Sequence, residues 1–171
     1  LMVLLPSMSF AQTKVVVIPL GGEDYTPDPF RPVAPIHPLD SDYTIGATTS
    51  VDKTTGLEWQ KTDDNTTRTW IDAQNYCAFG IGSSGTLDGK NDWRLPSNLE
   101  LQSIVDYDKP DAAPAAINAA AFPDTNAERY WTLSTVAAAG GAAWRVDFTS
   151  GTMSYDIATS SQLVRCVRGG Q

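Results

Sequence analysis

The sequence predicts an α+β domain, with two short helices in its first half and a run of antiparallel strands in its second. Three observations carry this. Trp70, Ala73 and Cys77 recur at helical spacing behind a Thr69/Asp72 cap. Ser97 and Glu100 stand three apart just after Pro96, and Leu101, Ile104 and Val105 continue as an apolar face. Trp144, Val146 and Phe148 then alternate with Arg145 and Asp147. After a turn at Ser150-Gly151, Met153, Tyr155 and Ile157 repeat the alternation of half-buried strands.

The elements follow in chain order. Residues 1–11 read as the end of a secretory signal, an apolar run giving way to small residues with Ser9-x-Ala11 at the cleavage position. The basic segment that opens such signals does not precede it, so the leader is expected to be truncated. Residues 12–41 hold a β-forming stretch, Val15, Val16, Val17 and Ile18, and then prolines at 27, 29, 32, 35 and 38. Proline fixes φ and restrains its predecessor, so this part is an extended connector. His37, the only histidine, falls within it.

The globular domain is expected over residues 42–171. Val51 to Lys61 reads as a hairpin turning at Thr54-Thr55-Gly56. Gly80, Gly82 and Gly85 end the first helix and open a loop. Asp106 to Pro123 is rich in Asp, Ala and Pro and reads as a long loop. Tyr130 to Ser134 is a strand, and Leu163 to Val167 supplies the last one.

The chain has 171 residues, 42% of them hydrophobic, with a net charge of −8 and a pI near 4.4. That size suits one domain with an extension. The charge argues against nucleic acid, whose phosphates call for a Lys/Arg patch. Arg145, Arg165 and Arg168 are the best candidates for a local basic patch. No run after the leader is long and apolar enough to span a bilayer, so the mature chain is expected to be exported, to the cell surface, periplasm or medium of a bacterium. Export permits a disulfide, and two cysteines allow one intramolecular pairing, Cys77–Cys166. One His and two Cys make a poor zinc set.

Several motifs in fixed order resemble the Lcl C-terminal domain family, named after a bacterial collagen-like surface adhesin. They are Thr54-Gly56-Leu57-Trp59, Trp70-Ala73-Cys77, Asp92-Trp93-Arg94-Leu95-Pro96 with Glu100-Leu101, Tyr130-Trp131, Trp144-Val146-Phe148-Gly151, and Val164-Arg165-Cys166-Val167-Arg168. The family in turn resembles C-type-lectin-like folds and the formylglycine-generating enzymes. In the lectins a Trp-x-x-Ala-x-x-x-Cys helix is disulfide-linked to the terminal strand, as Trp70, Cys77 and Cys166 would be here. The resemblance implies a C-type-lectin-like domain with a twisted antiparallel sheet, working in adhesion or ligand binding. Within the motif, Arg94 is expected to hold its loop on the helix by pairing with Glu100 or a nearby Asp. Trp59, Trp70, Trp131 and Trp144 are expected in the core rather than as sugar platforms.

An enzyme reading finds little support. The lone histidine sits in the connector, away from any nucleophile. The copper chemistry of the formylglycine-generating enzymes uses two nearby thiols, whereas Cys77 and Cys166 are expected to be a staple. No cofactor is required, although calcium fits loop carboxylates and amides. Asp88, Asn91 and Asp92 crowd one loop, Asp106, Asp108 and Asp111 the next, and Asp124 lies further on. The expectation is therefore a non-enzymatic surface binding module for a glycan or protein ligand, with contacts between Asp106 and Glu128. The rival is a filament subunit whose Val15–Ile18 strand joins neighbouring copies.

Overall fold

The computed structural model describes residues 39–109, 114–137 and 139–169. The signal remnant, the Val15–Ile18 strand, the connector with His37, and Asp111 lie outside the described residues.

A 3-10 turn at Asp40–Asp42 leads into β1 (Tyr43–Ile45), β2 (Thr49–Asp52) and β3 (Glu58–Gln60). The β2–β3 hairpin turns where the sequence predicts. The Asp52 carboxylate accepts the Thr54 N–H and the Thr55 hydroxyl, and Gly56 takes φ +71°, which favours glycine. Helix α1 (Trp70–Asn75) starts on Thr69, whose hydroxyl accepts the Asp72 N–H. It runs into a π-helical turn at Tyr76–Gly80 that carries Cys77. Helix α2 (Asn98–Ser103) opens with the complete Ser97/Glu100 capping box. Then come β4 (Arg129–Thr135), β5 (Ala142–Asp147), β6 (Thr152–Ile157) and β7 (Val167–Arg168). The β5–β6 turn needs Gly151, because a Cβ there would lie 2.6 Å from Val105 and 2.8 Å from the Tyr107 ring.

The architecture is α+β as expected, and among the described residues its antiparallel strands form two sheets. The first runs β1-β2-β3-β7 and the second β4-β5-β6. The predicted last strand, Leu163 to Val167, is correspondingly cut short. Leu163 bonds to β4, its N–H donating to Arg129 and its carbonyl accepting from Trp131. Val167 pairs with Trp59 of β3 and bridges to Arg94. The segment passes from one sheet to the other, so no single ladder can hold it.

Two apolar clusters flank this crossing. One gathers Tyr43, Trp59, Leu101, Ile104, Phe122, Tyr130, Val146 and Phe148. The other gathers Ala73, Cys77, Ile81, Trp93, Leu95, Trp131 and Ala143. Leu163 and Val167 belong to the first, Val164 and Cys166 to the second. Trp59 and Trp131 are buried as expected, whereas Trp70 and Trp144 are only half-buried. Trp70 still anchors α1, since its indole N–H donates to the Thr132 carbonyl. The Trp93 indole closes the glycine-rich loop by donating to the carbonyls of Leu87 and Lys90.

The stretch from Asp106 to Pro123 departs from expectation. Ala115, Ala116, Ile117, Ala121 and Phe122 are buried, and Phe122 stands edge-on to both Tyr43 and Trp59. Small alanines let irregular backbone pack closely. The Ser50 hydroxyl donates to the Ala121 carbonyl at 2.7 Å and the Ala116 N–H to the Phe148 carbonyl at 2.6 Å. Much of the presumed ligand loop is therefore core. Among the described residues no helix is long and apolar enough to cross a membrane.

Cys77 and Cys166 form the disulfide, with a sequence separation of 89 and both residues fully buried. Closing so long a loop restricts the unfolded chain by roughly 4–5 kcal/mol. A Cys77→Ser/Cys166→Ser variant should lose stability approaching that figure, read by urea denaturation; an unchanged midpoint would remove the staple from the account. Arg94 and Glu100 pair through two bonds of 2.7 and 2.8 Å, and Arg94 also reaches the Gly169 carbonyl. The Arg94 guanidinium holds the Glu100 carboxyl down at about 2. Its stabilisation is thus present above the ordinary carboxylate range and is lost as pH falls towards 2. Glu100→Gln should cost about 1–2 kcal/mol at pH 7, allowing for solvent screening, and most of the gap should close by pH 2. Denaturation midpoints at the two pH values check this.

Candidate functional site

Where the chain crosses between sheets, three segments lie side by side. Arg68 exchanges two backbone hydrogen bonds with Gln162, at 2.8 and 3.0 Å, and Leu163 continues the pairing to Arg129 and Trp131 at 3.0 Å each. Above this floor opens a groove of about 390 Å³, lined by Asn65, Thr67, Asn126, Glu128, Arg129, Ser161, Gln162 and Leu163. Its rim is bridged, since the Asn126 amide donates to the Asn65 side-chain carbonyl at 2.7 Å.

Both asparagines are held from beneath by a buried polar network. Asp63 accepts the Asn65 N–H at 2.9 Å through one carboxylate oxygen. Through the other it accepts the Tyr130 hydroxyl at 2.7 Å and an Arg165 N–H at 3.1 Å. The Tyr130 oxygen in turn accepts the Asn126 N–H at 3.1 Å. Asn65 itself sits at φ +54°, a left-handed conformation that asparagine tolerates.

Arg165 is the centre of this network, and its side chain is fully buried. One Nη donates to the carbonyls of Gln60 and Lys61, the other to Asp63 and to the Thr125 hydroxyl at 2.8 Å. Its guanidinium carbon lies 5.1 Å from the Phe122 ring centre and 5.9 Å from that of Tyr130. Nε finds no partner among the described residues. Asp124 stands 3.5 Å away, its carboxyl pushed above the ordinary value by burial despite the nearby cation. Burial likewise raises the Tyr130 hydroxyl, which stays protonated and donating at neutral pH.

The expected basic patch is not formed. Arg165 is in the core, Arg145 pairs with Asp156 at 3.1 Å, and Arg168 is held between Glu58 and Asp92. The expected ligand and calcium residues are also dispersed. The Asp92 carboxylate is taken by Arg168, Asp106 is buried and accepts the Asp108 N–H, and Asp124 faces Arg165. Asp88 and Asn91 are exposed on the glycine-rich loop. Among the described residues no three acidic, histidine or cysteine side chains gather as metal ligands. Both sulfurs are committed to the disulfide, leaving no free cysteine.

Of the described residues in the predicted contact region, Asn126 and Glu128 line the groove. Asn65, Thr67, Arg129, Ser161 and Gln162 escape sequence reading because no spacing unites them. The polar, uncharged runs Asn65-Thr66-Thr67 and Ser160-Ser161-Gln162 are the signal that could have marked its walls.

Fold and groove together define a disulfide-stapled α+β domain carrying a preformed polar recess. Residues 48–168 match the Lcl C-terminal domain, and the chain belongs to that family. No curated protein matches the sequence.

Arg165→Met should destabilise by about 3–5 kcal/mol, because it leaves the Asp63 charge buried without its cation. Adding Asp63→Asn should recover part of that loss. Guanidinium denaturation of both variants checks the prediction, and additive losses would contradict a buried pair.

Proposed function

We propose that this chain is an exported, non-enzymatic binding module that takes a glycan or protein ligand of a cell surface in the groove beside Asn126. The observation that supports it is the bridged pair of asparagine amides, fixed by Asp63 and Tyr130 below. A site held by its own supporting hydrogen bonds needs little ordering when ligand arrives. The volume falls within the range of about 300–1,000 Å³ usual for small-ligand sites.

The lining favours a hydroxyl-rich ligand. Three side-chain amides and two hydroxyls offer both donors and acceptors, while Leu163 gives a small apolar floor. Arg129 is half-exposed and tethered to Asp147 at 3.2 Å, so it can turn a donor towards an acidic or carbonyl group. A sugar ring presents this mixture of hydroxyls over a small apolar face. The family's likeness to a surface adhesin agrees with the reading.

The test is a glycan array followed by calorimetric titration, run with calcium and with chelator. Asn126→Ala and Arg129→Ala should each weaken binding at least about tenfold with little change in melting temperature. Tyr130→Phe should weaken it through the lost support to Asn126. Binding unaffected by all three variants, or none to any glycan or surface protein in either condition, would refute the reading.

A further inference from the structure

Among the described residues the second sheet ends in an open strand. Within the described residues β6 is bonded on one side, to β5. The Ala158 N–H donates to the Gly141 carbonyl, which makes Thr152, Ser154 and Asp156 the positions bonded to β5. Trp144 agrees, because its carbonyl points to the other side and accepts the Thr132 hydroxyl. The backbone groups of Met153 and Tyr155 therefore point away from the sheet. At Ile157 the outward N–H goes instead to the Asp156 carboxylate, and the carbonyl accepts the Ser160 N–H.

Natural edges are blunted by lysine, proline, a bulge or an inward charge. β6 has no lysine or proline and keeps an unbroken register with β5. Its one charge, Asp156, is neutralised by Arg145. The flank beside the open row is apolar: Tyr155 and Ile157 are 55% and 61% exposed, and Trp144 stands edge-on to Tyr155 at 5.7 Å.

We propose that β6 accepts residues 13–20 of a second copy of this chain as an added strand. That stretch contains Val15-Val16-Val17-Ile18, strong β-formers whose alternate side chains would lie along Tyr155 and Ile157. Its only charge is Lys14, opposite in sign to a chain of net charge −8, so approach is not opposed by that balance. The proline-rich residues 21–38, if extended, reach roughly 50 Å, far enough to span to a neighbouring copy. Donor and acceptor are different surfaces, so each copy can both give and receive a strand, and the contact propagates head to tail. This surface includes no residue of the groove and does not depend on it.

Sedimentation velocity of the full chain tests the proposal. The chain should form concentration-dependent oligomers, and Val16→Asp in the donor or Tyr155→Lys in the acceptor should each weaken association at least about tenfold. An equimolar mixture of the two variants should form heterodimers and nothing larger, since one keeps its donor strand and the other its acceptor edge. Ile157→Lys, at a side chain 61% exposed on the same flank, serves as a second acceptor variant if Tyr155→Lys lowers the melting temperature. A wild-type monomer at every concentration would overturn the proposal, as would assembly that survives both classes of variant.

Discussion

Everything in the described domain is organised by the crossing of residues 163–167 between its two sheets. Leu163 and Val167 enter one apolar cluster, Val164 and Cys166 the other, so both sides of the segment are buried. Its backbone is tied along its length. The Leu163 carbonyl accepts from Trp131, the Cys166 carbonyl accepts from Gln60, and Val167 exchanges two hydrogen bonds with Arg94. The disulfide and the Arg165 network are the two side-chain anchors of this segment, one reaching the π-helical turn after α1 and the other reaching Gln60, Lys61, Asp63 and Thr125. Either alone would fix one cluster. Together they join both to the same five residues.

The arrangement explains why a costly buried charge is kept. A guanidinium out of water needs an anion and further acceptors, and Arg165 finds Asp63, two carbonyls and a hydroxyl. The same Asp63 orients Asn65, and the same Tyr130 orients Asn126. The support of the crossing and the support of the groove walls therefore share atoms. The walls of the groove rest on the interaction that holds the crossing in place.

Local chemistry was readable from the sequence wherever it depended on near neighbours. The Thr69 and Ser97 caps, the Gly56 turn, the alternation of β5 and β6, and the Arg94–Glu100 pair all lie within a few residues of their causes. The disulfide was readable because only one pairing exists. Arg165 misled for a physical reason. Alternation in Val164-Arg165-Cys166 suggests a polar residue facing water, and that holds only where one side of a strand is solvated. Here the opposite side meets a second core. Asp106 to Pro123 misled likewise, since its polar and small residues resemble a solvated loop, yet its alanines allow close packing and Phe122 fills the aromatic centre. The groove lay beyond sequence reading, because Asn65 and Asn126 meet only after the sheets are joined.

Native-state hydrogen exchange at the amides of Gln60, Arg94, Trp131, Leu163 and Val167 addresses the crossing most directly. If this segment holds both clusters, these protons exchange only through global unfolding, with one common free energy that matches denaturant-induced unfolding. Faster exchange at Leu163 and Trp131 than at Gln60 and Arg94, through separate local openings, would show two independently held cores and contradict the account.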